Sequence, residues 1–246
     1  MKKQPSLIYG IHPVEEAIKS GRSIEKIFVQ KGFRADAFKK IISLAREKNI
    51  PVQGVPVETL ERITNGVHQG IAAKVSPVDF VDWRDIVNHA FEQGETPLLL
   101  VCDSITDVRN LGAIARTAFA AGVHVMIIPS QGFASFTPEA VKASAGALQK
   151  IYVSRESDLV KAIKEMRSFG IQTIVADAGG NDYIYHVDLK LPTAIIMGSE
   201  DTGADKNILR FSTHIVKLPM PGAIDSYNVS VACGMFLYET IRQRMQ

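Results

Sequence analysis

The sequence predicts an α/β protein with a parallel sheet covered by helices on both faces. Two observations predict it. From residue 97 onward, strand-like apolar runs alternate with helix-like periodic segments, the order that parallel strands and their crossover helices impose. Several of those strands end in polar or glycine-bearing loops, and in open parallel sheets ligands bind outside the carboxyl ends of strands. A content of 46% hydrophobic and 22% charged residues in 246 is that of an ordinary globular chain.

The first 76 residues read as a compact α/β unit. Ile24–Gln30 is a predicted strand, Ala35–Lys48 an amphipathic helix, Pro51–Val55 a strand, Glu58–Ile63 a short helix and Gly70–Val75 a strand. Residues 77–96 hold Pro77, the only tryptophan (Trp83), a cluster of acids and Gly94, and read as a linker leading into a helix. Residues 97–246 form the second domain. Its predicted strands are 97–102, 123–128, 150–153, 171–176, 193–197 and 213–218; its predicted helices are 110–121, 138–147, 156–168, 203–210 and 228–244.

Charge divides along the same line. Residues 1–76 carry 13 Lys+Arg against 7 Asp+Glu, and the rest carry 15 against 19. A basic domain joined to a mildly acidic one suggests that the first half meets a polyanion; solubilising surface lysine is the plainer alternative. No apolar run approaches the ~20 residues that span a bilayer, and the start shows no signal peptide. Cys102 and Cys233 sit in apolar surroundings and read as small buried hydrophobes. A cytoplasmic location without membrane contact is expected.

Several chemistries lack their motifs. No G-x-G-x-x-G follows a strand, no G-x-x-x-x-G-K-[ST] occurs and no G-x-S-x-G elbow is present. The six histidines form no pair at metal-ligand spacing, so no metal site is expected.

Three loops instead draw attention. In helix 110–121, Leu111, Ile114, Ala115, Ala118 and Phe119 form the buried stripe. Arg116 lies off that stripe, and Asn110 stands at the helix mouth, where an N-cap is the simple explanation. Glu200 stands in a glycine-flanked strand-to-helix turn, where an acid also complements a helix dipole. Ser226 and Asn228 follow Pro219-Met-Pro-Gly222 and precede an apolar helix; both are good cap residues, and periodicity does not decide between cap and ligand contact. That helix has almost no polar face and is expected in the core or against another subunit.

Together these residues resemble the SpoU (TrmH) family of RNA 2′-O-ribose methyltransferases, within the SPOUT superfamily. Asp103-Ser-Ile-Thr-Asp-Val-Arg-Asn110-Leu-Gly-Ala-Ile-Ala-Arg116-Thr-Ala is similar to the family's first motif, Ile196-Met-Gly198-Ser-Glu200-Asp-Thr-Gly203 to its second and Leu218-Pro-Met-Pro-Gly-Ala-Ile-Asp-Ser226-Tyr-Asn228-Val-Ser-Val-Ala to its third. Ile8-Tyr-Gly-Ile-His12-Pro-Val-Glu-Glu-Ala and Val67-His68-Gln-Gly-Ile-Ala-Ala-Lys-Val resemble the substrate-binding domain of the branch that modifies a guanosine in large-subunit ribosomal RNA.

The resemblance implies a ribosomal-protein-like RNA-binding domain, a C-terminal trefoil knot, S-adenosylmethionine as cofactor and a homodimer through the knot region. It implies cofactor contacts at Gly198, Leu218, Tyr227, Met220 and Ala178, and a catalytic and substrate-positioning set of Asn110, Arg116, Glu200, Ser226 and Asn228. Tyr227 departs from the leucine of many relatives, and Asp225 is an added acid. The family account makes Arg116 the group that activates the hydroxyl. Because arginine stays protonated, a phosphate clamp that lowers the hydroxyl pKa is the physical alternative. A transfer RNA ribose as target, or a non-catalytic RNA-binding dimer, are the rival readings.

Overall fold

The computed structural model describes residues 7–32, 36–199, 203–223 and 225–246. The chain divides into two compact units, Met1–Asp79 and Phe80–Gln246.

The first unit runs β1 (Leu7–Tyr9), α1 (Ile11–Lys19), β2 (Ile24–Gln30), α2 (Asp36–Glu47), β3 (Val52–Val55), α3 (Val57–Ile63) and β4 (Ile71–Val75). Its sheet has the order β1-β4-β2-β3, with β2 and β3 parallel and the other pairs antiparallel. Val14 and Ile18 of α1, Ile27 of β2, Ile41 of α2 and Ile71 of β4 meet in its core. The first strand and helix have no counterpart in the periodicity reading. Gly10, at φ +94°, turns the chain into α1, and Pro13 falls in the first turn. There its missing N–H costs nothing, because first-turn donors have no intrahelical acceptor.

The second unit begins with α4 (Trp83–Glu92), inside the stretch expected as a linker. Trp83 and Val87 are fully buried in the main core of this unit. The Trp83 Nε1–H donates to Glu156 Oε1 at 2.7 Å, and Arg84 pairs with Glu156 and Glu165. Trp83 is thus a core residue of the second unit, and the acids of this segment cap and flank a packed helix.

The rest runs β5 (Leu98–Cys102), α5 (Val108–Ala120), β6 (Val125–Pro129), α6 (Pro138–Ala143), β7 (Tyr152–Glu156), α7 (Leu159–Ser168), β8 (Gln172–Ala176), β9 (Asp182–Tyr183), β10 (Thr193–Met197), α8 (Lys206–Phe211), β11 (His214–Lys217) and α9 (Val229–Arg244). All seven strands are parallel, in the order β7-β6-β5-β10-β8-β11-β9. Every residue of β5 and β10 is buried, as strands covered on both faces must be. Leu99, Val101 and Ile196 face a core shared with α4, α7 and α8. Successive side chains alternate, and α5 packs against both α6 and α9. The late strand β10 enters between β5 and β8, and β11 between β8 and β9. No helix among the described residues is long and apolar enough to cross a membrane.

Helix boundaries follow side-chain caps. Asp107, Thr137, Asp158, Asp205 and Asn228 each accept a backbone N–H at a helix start. These caps place α7 at 159 and α8 at 206, later than periodicity suggests. Helix α6 stops at Ala143, short of the expected 147, because Ala145 and Gly146 take φ of +50° and +84°. Phe119, assigned to the buried stripe of α5, is 44% exposed.

Gly112 sits where α5 crosses α6. A Cβ there would meet the Cβ of Ala143 and stand 2.8 Å from the Ala140 carbonyl oxygen. Replacing glycine by alanine inside a helix usually gains about 1 kcal/mol, but overpacking costs about 1–3 kcal/mol, and here the obstacles cannot swing aside. Gly112→Ala should lower the denaturant midpoint. An unchanged or raised midpoint would show that the two helices separate at no cost.

Candidate active site

The carboxyl ends of β8, β10 and β11 open into one cavity of about 250 Å³. Three loops build it. The loop after β8 contributes Asp177 and Ala178. The loop after β10 contributes Gly198, Ser199 and Gly203. The segment after β11 contributes Leu218, Met220, Ser226 and Tyr227. Val229, Ala232 and Phe236 of α9 close the apolar side.

Close backbone approach holds these loops together. A Cβ on Gly198 would run into the backbone of Gly203 and Ala204. Ser199 and Gly203 exchange two backbone hydrogen bonds, at 3.0 and 3.1 Å, and Gly203 turns at φ +69°, a conformation that glycine adopts freely. A Cβ on Gly180 would stand 2.7 Å from the carbonyl carbon of Val216.

Buried Asp103 ties the loop after β5 to the loop after β10. Its Oδ2 accepts the Asp205 N–H at 3.0 Å, and its Oδ1 accepts the Ser104 hydroxyl at 3.0 Å. Ser104 is held at φ +57°, a strained setting of the kind that clusters at functional sites.

The sequence candidates fall into three groups. Gly198, Leu218, Met220, Tyr227, Ala178 and Ser226 all line the cavity. Tyr227 also donates its phenol hydrogen to the Pro219 carbonyl at 3.0 Å, so the residue that departs from the family's leucine tethers its own loop. Asn110 and Asn228 form the second group. The Asn228 Nδ2 donates to Asn110 Oδ1 at 3.1 Å, which joins the start of α5 to the start of α9. Asn228 also caps α9, its Oδ1 accepting the Ser230 N–H at 3.0 Å. Asn110 is not the cap of α5. That role belongs to Asp107, whose Oδ1 accepts the N–H groups of Arg109 and Asn110; the Asn110 N–H holds its carboxyl below the usual range.

Arg116 stands apart from both groups. It is exposed on α5, and its side chain makes no hydrogen bond or ion pair among the described residues. Six residues along a helix rotate it by about 240° from Asn110, away from the face that meets α9. Glu200 lies outside the described residues.

Three polar cavity residues, Asp177, Ser199 and Lys217, are not among the site residues expected from sequence. Asp177 follows β8 directly and uses Oδ1 to accept the Gly179 N–H at 2.8 Å. Lys217 ends β11 and lines the cavity wall. Their signal was position alone, at the carboxyl ends of parallel strands. Nearby Cys102 and Cys233 are buried, and burial pushes the Cys233 thiol up to about 12 and that of Cys102 well above its ordinary value. Neither supplies a thiolate near neutral pH.

Residues 97–238 match the SpoU rRNA Methylase family, and residues 7–81 match a domain described as RNA 2′-O ribose methyltransferase substrate binding. The chain belongs to the SpoU (TrmH) family of RNA methyltransferases. It is 33% identical over 244 residues to the TrmH family protein YacO of Bacillus subtilis (strain 168), covering 99% of this chain and 98% of that one. It is 35% identical over 240 residues to a TrmH family protein of Staphylococcus haemolyticus (strain JCSC1435), covering 98% and 96%. Both names couple tRNA with rRNA.

Solved SpoU structures share the fold. AviRb from Streptomyces viridochromogenes, in complex with AdoMet, superposes with a TM-score of 0.61 at 22% identity, covering 97% of this chain and 90% of that one. An AdoMet-bound rRNA methyltransferase from Sinorhizobium meliloti gives 0.61 at 24% identity, covering 96% and 86%.

The dual contact of Asn228 yields a test within this SpoU site. Asn228→Ala removes the α9 cap and should cost about 1 kcal/mol of stability. Asn228→Asp keeps the accepting oxygen and should hold the denaturant midpoint near wild type while losing the donor to Asn110. Equal losses in both variants would assign the stabilisation to the Asn110 pair instead.

Proposed function

We propose that this chain methylates a ribose 2′-hydroxyl of RNA with S-adenosylmethionine as donor, and that its target is a guanosine of large-subunit ribosomal RNA. The observation that carries this reading is the single cavity that gathers Ala178, Gly198, Leu218, Met220, Ser226 and Tyr227 beside the Asn110–Asn228 pair. The rRNA description of the matching family and the substrate-binding domain over residues 7–81 support the choice of RNA.

The cavity suits the cofactor on its own chemistry. Its volume lies just under the ~300 Å³ at which small-molecule sites begin. One wall is apolar, from Val229, Ala232 and Phe236, and the loops opposite add the polar residues Asp177, Ser199, Lys217 and Ser226. Gly198, where a side chain cannot fit, lets backbone line the floor. When bound, the cofactor supplies a sulfonium methyl open to in-line attack.

The protein side of the reaction is positioning. A ribose hydroxyl is a weak nucleophile near neutral pH. Arg116 is exposed and permanently charged, which fits it to clamp an RNA phosphate and to favour the ionised hydroxyl. Ser226, Asn110 and Asn228 orient the ribose, and Glu200 completes the set. The hydroxyl itself distinguishes RNA from DNA. The active form in this reading is a homodimer with a knotted C-terminal segment. Val231, Met235 and Tyr238 repeat along one face of α9 and are exposed in the single chain. A second copy would bury this surface.

Arg116→Ala should lower turnover roughly 10²–10⁴-fold and leave S-adenosylmethionine affinity intact; near-wild-type turnover would remove Arg116 from the mechanism. The target is tested by incubating the protein with labelled donor and either ribosomal RNA or transfer RNA, then digesting to nucleosides. The expected product is 2′-O-methylguanosine from ribosomal RNA. Label confined to transfer RNA would move the substrate, and label on a base would refute ribose methylation.

A further inference from the structure

A cluster of aromatic rings stands next to the cavity and has no part in it. Tyr183 and Tyr185 stack in parallel, with ring centroids 5.2 Å apart and an interplanar angle of 6°. His186 stands edge-on to both, at 6.0 and 4.7 Å. Lys217 Nζ lies 5.3 Å from the Tyr183 ring centre. Lys217 and Tyr183 are paired across β11 and β9, and Lys217 also lines the cavity. The rings therefore begin one strand away from the site.

Packing does not account for this arrangement. Ile184 and Val187 are buried and anchor the turn, while Tyr185 is 47% exposed and His186 is exposed. Neither phenol makes a hydrogen bond among the described residues. The nearest acid in the strand, Asp182, points to the opposite face, because strand side chains alternate. What remains on the outer face is a stacked aromatic pair with an imidazole and a cation beside it.

Resting on the reading of RNA as substrate, we propose that Tyr183, Tyr185 and His186, with Lys217, form a stacking platform for an unpaired RNA base next to the methylated nucleotide. Single-stranded RNA is held by aromatic stacking together with positive charge along the backbone. Tyrosine rings have few rotatable bonds and these already stack on one another, so little freedom is lost on binding, which favours affinity. The charge identifies the occupant. A second copy would bury the uncharged face of Val231, Met235 and Tyr238 on α9, whereas a cation beside phenols and an imidazole matches a base and its phosphate.

The test uses the full-length protein and a fluorescein-labelled oligoadenosine RNA of about a dozen nucleotides, the length range of single-strand sites. Fluorescence anisotropy should show Tyr185→Ala weakening binding roughly 5- to 150-fold, the span of one base–aromatic stack. Tyr185→Phe should stay near wild type, and S-adenosylmethionine affinity should be unchanged in both. Equal RNA affinity in wild type and Tyr185→Ala overturns the platform, as does a wild type that binds no oligonucleotide. A loss of dimerisation in Tyr185→Ala with RNA affinity intact would hand the surface to a second copy and also overturn it. The two readings fail separately. Weakened oligonucleotide binding without ribose methylation by the wild type would leave the platform standing and remove the ribose chemistry.

Discussion

A backbone crossing that excludes side chains governs this molecule. Gly198 lies against the backbone of Gly203 and Ala204, and Gly180 against that of Val216 and Lys217. These contacts draw the ends of β8, β10 and β11 into one small volume. Any larger residue at either glycine must push main chain apart, which costs more than moving a side chain. The loops that wall the cavity, at Asp177 and Ala178, Gly198 and Ser199, and Lys217 and Leu218, depend on that crossing being tight.

Around it, single residues carry structural and site roles together. Asn228 caps α9 with its oxygen and grips Asn110 with its amide. Asp103 receives both Ser104 and the Asp205 amide, so one buried carboxylate fixes two loops. Tyr227 lines the cavity and holds the Pro219 carbonyl. A site assembled this way is preorganised, because the groups that would meet ligand are already fixed by the fold.

Much of this was legible in sequence, and the reasons are specific. Apolar runs at β5 and β10 announced strands buried on both faces, and polar loops marked the carboxyl ends where the cavity lies. The motifs led to Gly198, Leu218, Met220, Ser226 and Tyr227, which the fold brings together. What was hidden depends on space. No periodicity reveals that β10 and β11 insert between earlier strands, or that Gly198 lacks room for one carbon. The tryptophan of a Pro-, Gly- and acid-rich segment read as linker because its partner Glu156 is 73 residues away. Cap assignment failed at Asn110 for a local reason: Asp107 offers the same oxygen three residues earlier and takes the amides first. Whether Ser226 and Asn228 were caps or site residues could not be read from spacing; in the fold Asn228 is the cap, and Ser226 faces the cavity.

The central claim is that the cavity closed by Gly198 holds the methyl donor. Calorimetric titration of the wild type and Gly198→Ala with S-adenosylmethionine tests it most directly. The account predicts micromolar binding by the wild type, and loss of that binding in a Gly198→Ala protein whose circular dichroism still shows a folded chain. Unchanged affinity in the variant, or no binding by the wild type, would contradict it.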